Sequence, residues 1–396
     1  MQLLEKIKTL SKQYFSEIQT IRRHMHAHPE LSFQEFNTSA FIAQKLKEFQ
    51  ISFKTGFVKT GIVGIIEGKN PTKKVIALRA DMDALPIQEQ NKVDYCSVNA
   101  GVMHACGHDV HTSCLLGAAK ILHSLKNEFE GTIKLIFQPG EEKLPGGASL
   151  MIAEGVLENP KPSGIIGLHV FPSMETGKVG FRSGMYMAST DELYVTVIGK
   201  GGHGALPHLT VDPVLIASHI IVALQQIVSR NCQPIIPSVL SFGKVIANGA
   251  TNVIPDEVKL EGTFRTLDEN WRIEAHQKMI SLAKGIAESM GATCIFEIKR
   301  GYPVLYNDGI LTQHAENAAK QYLGEENVEQ LDLRMTAEDF AYYTQHLPGC
   351  FYRLGTGNKK KGITSNVHTA TFNVDEHALE IGMGLMAWIA LQELTL

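Results

Sequence analysis

Short apolar runs that stop abruptly at polar or glycine residues recur along this chain, with helical patterns in the gaps between them. The runs are 75–78 before Arg79-Ala80-Asp81-Met82-Asp83, 133–137 before Gln138-Pro139-Gly140-Glu141-Glu142, 164–169 ending in His169, and 350–354 before Gly355-Thr356-Gly357. Unbroken runs of this length read as strands buried on both faces. Between them, 112–125 places Leu115, Leu116, Ala119, Ile121 and Leu122 at helical spacing. Strand and helix in alternation predict an α/β fold, a mixed sheet flanked by helices. Functional groups of such sheets gather beyond the strands' carboxyl ends. Asp81, Asp83, Glu141, Glu142 and His169 fall at those ends.

The middle of the chain reads differently. The segment 193–197 alternates, 213–228 and 269–290 read as helices, and 238–245, 258–264 and 294–298 read as strands. Together they predict an α+β unit of about 115 residues, an ordinary domain size. Residues fit for chemistry stop at His169 and resume at His368, 368 − 169 = 199 positions later. If His368 joins the others, the middle unit is an insertion. The expected layout is one discontinuous domain over 1–183 and 301–396, with an inserted domain over 184–300.

His104-Ala105-Cys106-Gly107-His108-Asp109-Val110-His111 packs three histidines, a cysteine and an aspartate into one short stretch. In a turning backbone, Cys106 and His108 can present thiolate and imidazole to one region, and both are ligands for transition-metal ions. Alone, Cys-x-His reads as a buried thiol beside surface histidines. Glu141-Glu142 alone reads as an acidic loop, and His169 alone as a hydrogen-bonded core residue. The combination changes the reading. Adjacent carboxylates diverge, so one can ligate a metal while the other takes and returns a proton, the working set of a hydrolase.

Composition narrows the alternatives. With 44% hydrophobic and 20% charged residues the chain is globular, and a net charge of −4 gives no general attraction for nucleic acid or anionic membrane. Residues 1–8 mix charged and apolar side chains and lack a signal-peptide core. No run reaches the roughly 20 apolar residues of a membrane span, so a cytoplasmic protein is expected. The six cysteines lack framework spacing, and no disulfide scaffold is expected.

The motifs closely resemble the aminoacylase/carboxypeptidase family of metal-dependent amidohydrolases. The nearer branch is the N-acyl-amino-acid amidohydrolases, which includes hippurate hydrolases, auxin-conjugate hydrolases and N-acetyldiaminopimelate deacetylases. The resemblance runs nearly end to end, through His26-Ala27-His28-Pro29-Glu30, the Arg79 and Cys106 segments, Gln138 to Glu142, Gly202-His203, Asn252-Val253-Ile254-Pro255 and His368-Thr369. It implies two divalent ions, zinc, manganese or similar, on Cys106, His108, Glu142, His169 and His368. Glu141 becomes the general base and acid, while Asp83 and Asp109 orient ligands from behind. Asp81 stands where relatives with an aspartate bridge carry a histidine ligand, and is left out of the set. The inserted unit becomes a lid and dimerisation domain, in which His203, Asn252 and Arg265 hold the substrate carboxylate or the developing oxyanion, in their own or a partner subunit's site.

The activity implied is cleavage of the amide of an N-acyl amino acid, releasing a carboxylate and a free amino acid. A dipeptidase or carboxypeptidase on the same scaffold is the nearest alternative. A non-catalytic metal- or amino-acid-binding protein is the alternative from another class. The series His24, His26, His28 is read as local hydrogen bonding and not as a further metal site.

Overall fold

The computed structural model describes residues 2–396, which divide into two compact units. Among the described residues the first comprises 2–184, 306–332 and 339–396, and the second 185–305 with 333–338.

The first unit is built on an eight-stranded mixed sheet. Its strand order is Ser52–Phe57, Gly61–Glu67, Thr132–Gln138, Val75–Asp81, Gly164–Glu175, Gly349–Gly357, Val179–Phe181, Val328–Gln330. The four central strands from Thr132–Gln138 to Gly349–Gly357 run parallel, and antiparallel strands border them on both sides. Every residue of Thr132–Gln138 and Gly349–Gly357 is buried, which is why these runs carry no alternation.

Helices Gln2–Ala27, His108–Ser124, Gly309–Leu323 and Ala378–Thr395 pack together as one layer. The short helices Gly147–Ala153 and Ala341–Thr344 touch each other instead. Gly164 and Gly167 are three apart in one strand and face opposite ways. A side chain at Gly164 would meet Leu311 of the helical layer, and one at Gly167 would meet Phe340, beside the short helices. The sheet is thus covered on both faces.

Two expected elements shift in ways that matter for the site. The helix expected over 112–125 is His108–Ser124, so His108, Asp109 and His111 lie in its first turn. Gly107 starts it at φ +86°, where a Cβ would stand 2.6 Å from Val170 Cγ2. His169 does not end its strand, which continues to Glu175. However, pairing with Val75–Asp81 stops at Gly167, and from His169 onward the partner is Gly349–Gly357 alone. The imidazole therefore sits two residues beyond the last one paired with Val75–Asp81, level with Asp81 at that strand's end.

The second unit has a four-stranded antiparallel sheet in the order Ser238–Ile246, Glu257–Thr266, Asp191–Ile198, Thr293–Arg300. Alternation in Asp191–Ile198 buries Leu193, Val195 and Val197 against helices Pro213–Gln226 and Glu269–Ser289. Asp212 and Asp268 cap those helices by accepting from main-chain N–H groups, each cap contributing about 1 kcal/mol. Helix Pro213–Gln226 and its continuation Ile227–Asn231 are long and apolar enough, by length and composition, to cross a membrane. Ile216, Ile220 and Leu224 are spent on the unit's own core, whereas Leu215 and Val222 are exposed.

Candidate metal centre

The Cys106 thiol is the point at which distant segments meet. His169 Nε2 lies 3.5 Å from Cys106 Sγ, and His368 Nε2 lies 3.3 Å from it. His368 is brought there by its own N–H, which donates to Ala105 O at 2.7 Å, and by a left-handed backbone at φ +61°. A histidine in that region is uncommon, and such strain collects at functional sites. His368 Nε2 is also 3.1 Å from Glu142 Oε1, and His108 Nε2 is 3.9 Å from the same oxygen.

Two sets of donor atoms, Cys106–His108–His169 and Cys106–Glu142–His368, are each close enough to share one ion, and Cys106 belongs to both. Tautomers follow from the hydrogen bonds. His108 Nδ1–H donates to Asp83 Oδ1 at 3.1 Å, and His169 Nδ1–H donates to Val170 O at 2.8 Å. With Nδ1 committed in each ring, Nε2 is the nitrogen that would offer its lone pair to a metal. Among the described residues, His108 Nε2 and Glu142 Oε1 are buried with no hydrogen-bond partner, since the approach of His368 to Glu142 is off the hydrogen-bonding direction. Buried polar atoms are normally satisfied, and two orphans that each share a donor set with one thiol suit a cation between them.

Electrostatics agree. Burial, then the charges of Glu142 and Glu141, pushes the Cys106 thiol well above its usual range. Burial works against a charged His108, but Asp81 and Asp83 outweigh it and push that imidazole up to about 10. Without a cation, both side chains hold protons that a divalent ion would displace. The residues present fit a pair of such ions.

Asp83 serves two of these groups at once: its Oδ2 accepts from Ser32 Oγ at 2.6 Å and from Glu142 N–H at 3.0 Å, while Oδ1 holds His108. Asp109 is placed otherwise than expected. Its Oδ2 accepts from Arg22 Nε and His26 Nδ1, both at 2.8 Å, so it ties the helix His108–Ser124 to Gln2–Ala27 and does not touch a member of the cluster. His111 is fixed by Asp81, which accepts from Nδ1–H at 2.6 Å, and by Val170 N–H, which donates to Nε2 at 2.9 Å. Both nitrogens are spent, which leaves His111 behind the site and not in it. His28 Nδ1–H donates to His24 O at 2.8 Å, a local bond as the sequence suggests, whereas His26 departs from that expectation and bonds to distant Asp109 and Glu89.

Glu141 is buried on the turn after Thr132–Gln138, and its Oε1 accepts from Asp339 N–H at 3.4 Å. The turn itself is gripped at Gly140, whose N–H donates to the buried Glu35 at 2.8 Å. Gly140 has φ +62°, and a Cβ there would lie 2.4 Å from Phe33 Cε1. Gly140→Ala is therefore expected to lower unfolding stability by about 1–3 kcal/mol, read by denaturant titration.

In the second unit, the pair Gly202–His203 and Val253–Ile254 forms a small ladder, and Gly204 N–H donates to Asn252 O at 2.8 Å. His203 and Asn252 thus lie together. Ala205 N–H donates to His203 Nδ1 at 3.0 Å, which leaves the proton on Nε2 as an outward donor. Arg265 is elsewhere. It is half-buried near the far end of Glu257–Thr266, 265 − 257 = 8 residues from the end adjoining the His203 ladder. At roughly 3.3 Å per residue that is about 26 Å.

A sequence model of peptidase family M20/M25/M40 matches residues 77–392. The chain belongs to that family. Among M20/M25/M40 relatives, an N-acyl-L-amino acid amidohydrolase of Geobacillus stearothermophilus is 43% identical over 317 residues, 80% of this chain and 85% of the relative. A thermostable carboxypeptidase of Saccharolobus solfataricus is 39% identical and is covered, like this chain, to 99%. A Bacillus subtilis protein described as a dinuclear metal binding peptidase from the M20 family superposes with TM-score 0.83 at 35% identity, covering 97% of this chain and 99% of that one.

Proposed function

We propose that this M20/M25/M40 member hydrolyses the amide bond of N-acyl amino acids at a site built for two divalent cations, zinc or manganese. The observation that carries this reading is the pair of donor triads meeting at Cys106, with Glu141 buried beside them as a further carboxylate. The ligands are Cys106, His108, Glu142, His169 and His368. Such cations, when bound, polarise a carbonyl and lower the pKa of water.

The chain's own residues do the rest. Asp83 holds His108 and the Glu142 main chain in place for binding. Glu141 accepts the proton of the water that adds to the amide carbon. It gives that proton to the nitrogen as the C–N bond breaks, so the products are a carboxylate and a free amino acid. Cleavage of carbon–nitrogen bonds is also the chemistry named for the relatives, an amidohydrolase and a carboxypeptidase.

The test is product analysis by mass spectrometry on protein loaded with one defined metal. N-acetyl and N-benzoyl amino acids are offered beside dipeptides. Release of free amino acid from the N-acyl compounds is expected. Cleavage of dipeptides alone would make the chain a dipeptidase, and saturable binding without product would make it a binding protein. Asp83→Ala is expected to weaken metal affinity about 10–100-fold, the usual effect of removing a residue that orients ligands, read by competition with a chelating dye.

His203 and Asn252 are the donors proposed for the substrate carboxylate or oxyanion, together with Arg265. The strand between them keeps Arg265 too far from His203 for both to reach one small substrate from one copy. A homodimer through the inserted domain, each copy completing the other's site, resolves this, and exposed Leu215 and Val222 offer apolar surface for it. Co-expressed His203→Ala and Arg265→Ala chains are then expected to recover about a quarter of wild-type activity through mixed dimers. No recovery would confine the action to one copy. A cytoplasmic location accords with six free thiols.

A further inference from the structure

We propose that Asp339 is a positioning residue that sets the direction of the Glu141 carboxylate. This rests on the reading of Glu141 as the base. Asp339 is fully buried, and its two oxygens gather donors from three separate segments. Oδ1 accepts from Arg79 Nη2 at 2.7 Å and from Gln138 Nε2 at 2.9 Å. Oδ2 accepts from Gln138 Nε2 at 2.8 Å and from Ala148 N–H at 3.0 Å. Arg79 in turn donates to Gln138 Oε1 at 2.9 Å and to Asp81 Oδ2 at 2.7 Å.

The consequence concerns the turn that carries the base. Gln138 is the last residue of its strand, and Ala148 lies in the first turn of the next helix. One carboxylate therefore pins both ends of the segment 138–148. The same residue's main-chain N–H then donates to Glu141 Oε1 in the middle of that segment. A brace for the fold would need only the ends. The bond to Glu141 couples the brace to the group that moves the proton. A buried charge network of this kind keeps one geometry because every alternative leaves a charge unpaired. Misplacement of a reacting group by about 1 Å costs on the order of 10²-fold in rate.

The experiment is a double-mutant cycle on the metal-loaded protein, with Asp339→Asn and Glu141→Gln alone and together. Asparagine puts an amide N–H where an oxygen accepts, so donor faces donor. Asp339→Asn alone is expected to lower kcat about 10–100-fold with KM within about threefold and both ions retained. In the Glu141→Gln background the same change is expected to alter kcat by less than about twofold, since a residue acting through the base has nothing left to direct. An equal loss in both backgrounds overturns the positioning role and makes Asp339 a fold element. Should Asp339→Asn fail to fold, Gln138→Met, which removes two bonds to Asp339 and keeps the Arg79 pair, runs the same cycle with the same two outcomes. An active Glu141→Gln single variant overturns the base itself, and is distinguished from the loss of the positioning role by needing no second substitution.

Discussion

Replacing Glu141 by glutamine is expected to lower kcat by about 10²–10⁴-fold, the range for a general acid–base, while both cations stay bound. The substitution is nearly isosteric. An amide oxygen can still accept from Asp339 N–H, so the turn keeps its shape. What disappears is the ability to hold a proton between the water and the departing amine. The two roles offered by the adjacent glutamates are separated by metal analysis of the purified variant. Two ions per chain with little turnover assigns Glu141 to proton transfer. A chain that loses an ion assigns Glu141 to the ligands and leaves Glu142 as base. Glu142 is already committed in geometry, with Oε1 3.1 Å from His368 and its main chain bonded to Asp83. That makes the first outcome the expected one.

The parts of the site that are legible in the sequence are those whose residue types are unusual in their context. Cys106 and His108 lie in a dense ligand cluster, and Glu141-Glu142 follows a strand and a turn, so each stands out against its surroundings. Their convergence with His368 depends on treating the middle of the chain as an insertion. The pattern change near 184 supports that, as does its reversal near 301, though the segment 333–338 that groups with the second unit has no such signal. Asp109 misleads because it neighbours His108 in sequence. In the first turn of a helix adjacent side chains point apart, and Asp109 faces Arg22 and His26 instead. Asp339 is invisible for the opposite reason. Its partners Gln138 and Arg79 are 201 and 260 positions away, and an aspartate between Glu338 and Phe340 has no local pattern to mark it. Glu35 is silent likewise, though it accepts from the turn at Gly140 and burial with the nearby charge of Asp83 pushes it up to about 7. Local sequence reports helix, strand and ligand chemistry; it does not report which buried carboxylates hold the turn between them.

Cys106→Ser is expected to weaken both ions together, because the thiol belongs to both donor triads. A hydroxyl is a poorer ligand than a thiolate for zinc-like ions, and loss of at least about 10²-fold in affinity is expected, more than for removing a residue that only orients ligands. The pH dependence separates this from general damage. In the cation-free protein the Cys106 thiol is raised well above its usual range and His108 is pushed up to about 10. Both hold protons at neutral pH and both give them up to bind metal. Apparent affinity therefore rises with pH, and below those values the logarithm of the binding constant climbs with a slope of about two. Serine carries no proton to lose in this range, so the variant's slope falls to about one. His108→Gln, which removes the other titrating donor but leaves the thiol, is expected to fall to about one as well. A Cys106→Ser chain that binds two ions with unchanged affinity and the full slope would take the thiol out of the centre, and with it the only atom common to the two triads.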